Sequence, residues 1–220
     1  IQTPNNHPDL MLTTTSKNYP VRSFTEFADT SAATALAARE LAILRDAHPS
    51  LWPETVRALY VGSARWTEQM WSHVQPAERK KKTALEILFK RYGYGVPNLG
   101  RALASAANAV TLIVQDEIRP YENVQSARRM NEMRLIELPW PIEVLRELGN
   151  TPVTLRIALS TFIAPNPSEA ARGKKLRYAS HGLRFKLKGE NEDVDEFASR
   201  VGRTSIEEDI RPVEGPDSAE

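Results

Sequence analysis

The stretch SAATALAARELAILRDA, from Ser31 to Ala47, is the feature that most restricts how this chain can fold. Ala33, Leu36, Ala37, Leu41 and Leu44 recur at helical spacing along one face, and the alanines around them allow neighbouring backbone to approach closely. The spacing predicts a buried helix over 31–47 that other elements must surround. Thr30 and Ser31 stand at its entrance, where a hydroxyl can satisfy an orphan amide of the first turn. A serine in a sharp turn into a helix has a second capacity. Its hydroxyl is exposed and its own amide is free to donate to a developing oxyanion, so that with a base to take its proton it becomes a nucleophile. On the residues alone, both capping and catalysis stay open.

The next elements follow from punctuation and periodicity. HPSLWPE breaks the first helix, and Pro53 suits the first position of a second one through ETVRALYVGSA. QPAERKKKTALEILFKRYG reads as a third helix, with an apolar face at Ala84, Leu85, Leu88 and Phe89 and its basic run in water. In YGYGVPNLGRALASAAN, Gly93 and Gly95 supply unusual dihedrals, Pro97 shapes a turn and Asn98 caps a further short helix. Residues 1–29, rich in Thr, Asn and Pro, read as a loop.

Beyond Asn108 the pattern changes. AVTLIVQDEI, MRLIELPWPI, TPVTLRIALSTFI and KLRYASHGLRFKLKG have the β-branched and alternating character of strands, with a short amphipathic helix at DVDEFASRVG. The expected organisation is one region over 1–108, a β-rich, sandwich-like domain over 109–202 and a flexible acidic tail over 203–220. Trp140, between two prolines, reads either as an anchor for a partner or as an apolar plug docking the β region on the first.

Composition narrows the function. With 29 basic and 28 acidic residues, the net charge of +1 offers no field to steer a polyanion. The basic run at 78–82 and the cluster Arg172, Lys174, Lys175, Arg177, Arg184, Lys186 and Lys188 therefore read as solvated faces, and no nucleic-acid partner is expected. Cysteine is absent, which removes disulfides, thiolate nucleophiles and Cys-based metal sites and is compatible with a cytoplasmic location. The longest nearly apolar stretch, Ala102 to Val114, is too short to span a bilayer. His7, His48, His73 and His181 are scattered without ligand spacing, so neither metal nor cofactor is implied. The opening IQTPNNHPDL, with no initiator Met and no signal pattern, reads as the interior of a longer protein.

Three ordered signatures resemble the subtilisin-like serine peptidases, the subtilase family. DTSAA resembles the family's Gly-Thr-Ser-X-Ala segment, with Thr30, Ser31 and Ala33 matching and Ser31 in the nucleophile position. HPSLWPETVRALYVGSA resembles the loop and helix that follow, and YGYGVPNLGRAL the Gly-X-Gly segment near the end of the catalytic domain. The resemblance covers about residues 20–108. It implies an α/β subtilisin-like catalytic-domain fragment, mostly its C-terminal helices, followed by a mainly β domain, and a serine endopeptidase acting on a peptide or protein substrate through an acyl-enzyme. Ser31 is the implied catalytic residue, with Asp29, Thr30 and Ala33 supporting its turn. Asp29 stands where the family has Gly, and Ala35 and Leu36 replace its Pro and His. Asp tolerates unusual dihedrals, so the turn is expected to survive.

In the family the catalytic Asp and His and the oxyanion Asn precede the serine by wide margins, whereas 30 residues precede Ser31. Those partners are expected from the upstream part of the same polypeptide, and the 220-residue chain alone is expected to be inactive. His48 lies about 17 residues along the helix from Ser31, roughly 25 Å at 1.5 Å per residue, and cannot serve as the base. The alternative is a non-catalytic scaffold or protein-interaction module derived from a subtilase, in which Ser31 is only a cap.

Overall fold

In the computed structural model the described residues are 11–79, 81–107, 111–124, 127–163, 182–189 and 191–210. They divide into two units, residues 1–160 and 161–220. His7, His181, Lys80, Arg172, Lys174, Lys175, Arg177 and the end of the tail from residue 211 fall outside the described residues.

The first unit opens with a hairpin where the sequence suggested loop. Strands β1 (Leu12–Thr15) and β2 (Phe24–Phe27) pair antiparallel, Leu12 against Phe27 and Thr14 against Thr25 on the more sheltered face. Threonine is as much a strand residue as a loop residue, and its partner stretch is aromatic at both ends. Arg22 closes the connection by donating from Nε to the Phe24 carbonyl (2.6 Å) and from a terminal nitrogen to Thr25 Oγ1 (2.8 Å).

Through Ala28, β2 delivers the chain into α1 (Asp29–Ala47). Then follow α2 (Pro53–Ser63), with Pro53 in its first turn as expected, α3 (Glu68–Trp71), a 3-10 turn (Pro76–Glu78), α4 (Lys82–Tyr92) and α5 (Leu99–Ala107). The single helix expected over QPAERKKKTALEILFKRYG is thus broken in two. Helices α1, α2 and α5 pack on one another around Leu44, Val56 and Ala102, with Leu41, Leu51, Leu59, Tyr60, Leu99 and Leu103 at the margin. A second core of Val74, Ala84 and Leu88, flanked by Trp66, Met70, Trp71 and Tyr92, joins α3 to α4. Leu44 and Leu88 have no exposure at all, and burial of such a side chain stabilises a fold by about 1.5–3 kcal/mol.

Two expectations for these helices need correction. The C-terminal half of α1 is packed, but its entrance is not: Ala33 and Ala35 are exposed and Leu36 is 46% exposed, because α2 and α5 meet the helix around Leu41 and Leu44. On α4, Ala84 and Leu88 are buried but Leu85 and Phe89 lie in solvent, Phe89 turned edge-on to Tyr94 at 5.0 Å.

The corner between α2 and α5 is built as its small residues require. Buried Ser63 donates its hydroxyl to the Tyr60 carbonyl (2.6 Å) and accepts from the Asn98 amide (2.9 Å). Arg65 and Val96 exchange backbone bonds of 3.0 and 2.9 Å. Gly95, at φ +94°, lies so close that a Cβ there would come 2.4 Å from the Arg65 carbonyl oxygen. Asn98 accepts from the Arg101 amide at 2.7 Å, the expected cap of α5.

Beyond α5, the expected β-sandwich is not seen among the described residues. The sheet there is one hairpin, β3 (Tyr121–Val124) with β4 (Ala127–Met130), followed by α6 (Ile142–Leu148). The described parts of AVTLIVQDEI, MRLIELPWPI, TPVTLRIALSTFI and KLRYASHGLRFKLKG carry no ladder. Burial still alternates with period two from Thr111 to Gln115, so side-chain pattern and strand pairing have come apart. Instead of a strand partner, this stretch meets α2: Gln115 Oε1 accepts from the Trp52 amide (2.6 Å) and from Thr55 Oγ1 (2.7 Å), capping a helix start that has no cap of its own. Trp140 is 49% exposed beside its two prolines and so is no buried plug.

In the second unit, α7 (Val194–Ile210) runs eight residues past the end of the helix expected at DVDEFASRVG, into what was expected to be tail. Its first turn is held by Asp193, which accepts from the Glu196 amide at 2.7 Å, and by Arg200, which grips Glu192 with two nitrogens at 2.6 and 2.9 Å. These bonds, with the Gly189 amide, pull the Glu192 carboxyl down to about 2.

Candidate active site

The entrance of α1 is a strand-to-helix turn with one unusual residue. Asp29 has φ +66°, the non-glycine residue with positive φ among those described. The left-handed region is open to Asp and Asn at modest cost because their short polar side chains tolerate it. The position at which the sequence departs from Gly therefore keeps a conformation that Gly would adopt freely.

The turn resolves the question of capping. The N-cap is Ala28, and no side chain bonds the first turn there. Ser31 is the third residue of the helix and is exposed, so its hydroxyl does not cap. Its amide is among the first-turn N–H groups that no carbonyl of the helix accepts, and the positive end of a 19-residue helix dipole lies beneath it. Thr30 is also exposed, and its carbonyl accepts from Thr34 Oγ1 at 2.7 Å.

Asp29 and Ala33 serve another surface. With Met11, Leu12, Ala28, Ala32 and Leu36 they line a groove of about 300 Å³ between β1 and α1. Ser31 is not part of its lining, since two residues at 3.6 per turn carry it roughly 200° round the helix from Asp29. Asp29 sets the turn through its backbone, while the groove that it lines with Ala33 brings no wall up to the serine.

The imidazoles do not gather there. His48 caps the far end of α1, 17 residues from Ser31. His73 is exposed and lies with its ring 5.9 Å from that of Tyr92, beside the second core. Among the described residues no three His, Cys, Asp or Glu side chains form a group that could hold a metal. The basic run is tied to acids, Arg79 to Glu68 at 3.5 Å, Lys81 to Glu78 at 2.8 Å and Lys82 to Glu86 at 3.8 Å, which suits a solvated face.

Within the helical region, two titratable groups depart clearly, Tyr60 and Arg65. Tyr60 donates its hydroxyl to Glu40 Oε2 at 2.8 Å, tying α2 to α1. Burial first, then the bond and the charge of Glu40, push the phenol up to about 12. Sequence reasoning missed this tie and the Gln115 cap, since both link residues whose separation carries no periodic signal.

Residues 3–95 match the family model Peptidase_S8, the subtilase family. The matched segment takes in β1, β2 and α1 to α4, includes Ser31 and ends inside the Gly-X-Gly signature. No curated protein and no solved structure matches the chain. The segment from residue 3 to residue 95, with the strand-to-helix turn that presents Ser31, is thus similar to the subtilase family of serine peptidases.

Proposed function

We propose that Ser31 is the nucleophile of a subtilisin-like serine endopeptidase whose base and second oxyanion donor are supplied by polypeptide upstream of Ile1. The observation that carries this reading is the exposed Ser31, entered through a left-handed Asp29 within the subtilase-matching segment. An upstream histidine, oriented by an upstream aspartate, takes the Ser31 proton as Oγ attacks the scissile carbonyl. The Ser31 amide and an upstream asparagine hold the oxyanion, and the amine leaves with the proton returned by the histidine. The acyl-enzyme is then hydrolysed by water through the same groups. Residues 109–202 act in support of this region and catalyse no second reaction.

The test is hydrolysis of a fluorogenic peptide by a longer polypeptide that includes the residues before Ile1, beside the 220-residue chain. Turnover by the longer form, abolished by Ser31→Ala, and none by the 220-residue chain is the expected result. Ser31-dependent turnover by the 220-residue chain alone would refute the division of the site.

A second reading, a scaffold descended from a peptidase, is favoured by the exposed apolar side chains of Leu135, Ile136 and Trp140, which offer contact surface without chemistry. A folded longer polypeptide without turnover would select it.

A further inference from the structure

The C-terminal end of α2 gathers cations. Arg65 donates from one terminal nitrogen to the Gly62 carbonyl (2.8 Å) and the Ala64 carbonyl (2.6 Å), and Arg101 donates to the Ser63 carbonyl. Both guanidinium groups are thereby fixed at one helix end. A third arrives from the chain alongside α2. Ser160 accepts from Arg57 Nε at 2.7 Å, and Ala158 lies 3.4 Å from where a Gly62 Cβ would stand, so that residues 160 and 158 follow α2 in antiparallel order. Continuing that order brings Arg156 level with Arg65. Burial, and then the charges of Arg156 and Arg101, depress the Arg65 guanidinium below its ordinary value, as crowded like charges should.

Elsewhere the arginines with ion pairs have carboxylates beside them: Glu68 for Arg79, Asp116 for Arg134 and Glu192 for Arg200. Among the described residues, no carboxylate pairs with Arg65, Arg101 or Arg156. The helix end offsets only about half an elementary charge. Three guanidinium charges against that leave roughly +2.5, matched by a dianion better than by a single carboxylate. Each guanidinium has five N–H donors, and Arg65 and Arg101 each use one nitrogen on the helix carbonyls, which leaves donors for forked bonds to an oxyanion.

We propose that Arg65, Arg101 and Arg156 form a binding site for a dianionic oxyanion of the phosphate type at the corner of α2 and α5. The site is independent of Ser31 and of the peptidase reading. Its occupant offsets most of that charge and stabilises the corner.

The probe is inorganic phosphate at pH 7.5, titrated into the 220-residue chain at constant ionic strength with chloride as the balancing anion and followed by calorimetry and by melting temperature. Saturable binding with a rise in Tm is expected. Arg156→Gln leaves both helix caps in place and should weaken the affinity about tenfold, the loss of one charge-assisted contact. Arg39→Gln, an exposed cation on α1, should leave it unchanged. No saturable binding, or equal affinity in wild type and Arg156→Gln, would overturn the proposal.

Discussion

Residues 29–107 and residues 111–163 are both well supplied with apolar side chains, yet they treat them in opposite ways. In the first region Leu44, Val56, Val74, Ala84, Leu88 and Ala102 are buried in two cores. In the second, Leu112, Val114, Leu135, Ile136, Val153, Leu155, Ile157 and Leu159 are all at least 38% exposed. The cause lies in the backbone. A helix closes its hydrogen bonds within itself and needs only one face covered, whereas an apolar strand is buried only once another strand accepts its edge. Hydrophobic alternation is thus a requirement for a sheet, but it does not supply the partner.

Core truncation should separate the regions most widely. Leu88→Ala is expected to cost about 2–5 kcal/mol in urea denaturation, and Leu155→Ala to stay within about 0.5 kcal/mol. Equal losses would break the comparison. Gly95→Ala should cost about 1–3 kcal/mol, since the new Cβ meets the Arg65 carbonyl and φ is +94°. Asn98→Ala, which removes the α5 cap, should cost about 1 kcal/mol by the same assay. Asp29→Gly runs the other way: relief of the left-handed strain, less the added freedom of glycine in the unfolded chain, should stabilise by about 0.5 kcal/mol.

The smallest effects are those of pH. Tyr60 holds its proton more tightly in the fold, with its value raised from 10.0 to about 12, so its contribution is full below pH 10 and is lost as pH rises through about 12. Ultraviolet titration should show a late phenol that Glu40→Gln brings earlier. Glu192 is depressed from 4.5 to about 2, so its contribution is full above pH 4.5 and is lost as pH falls through about 2. Circular dichroism should show α7 loosening over that interval, and Glu192→Gln should remove the dependence.

What could be read in the sequence follows the same division. Helices α1, α2 and α5 were legible because apolar spacing, Pro53 and Asn98 are local signals, and the Gly95 turn because positive φ has a residue preference. The open entrance of α1 was not legible, since periodicity shows a face suited to burial and not whether a neighbour reaches it. The described parts of the strands expected beyond Asn108 form no ladder because alternation does not by itself supply a pairing edge, and the hairpin before α1 was hidden in a Thr-rich stretch that suits loop and strand alike. At the entrance of α1, the unusual backbone at Asp29 was legible from one short motif. The groove that Asp29 and Ala33 line away from Ser31 depends on β1, and so on a pairing the sequence did not announce.

The most direct test of the central claim is labelling by a fluorophosphonate probe, which reacts with an activated serine, located by peptide mapping in the 220-residue chain and in the longer polypeptide, each beside its Ser31→Ala variant. Modification at Ser31 in the longer polypeptide only is the expected result. A folded longer polypeptide that remains unmodified at Ser31 would contradict it.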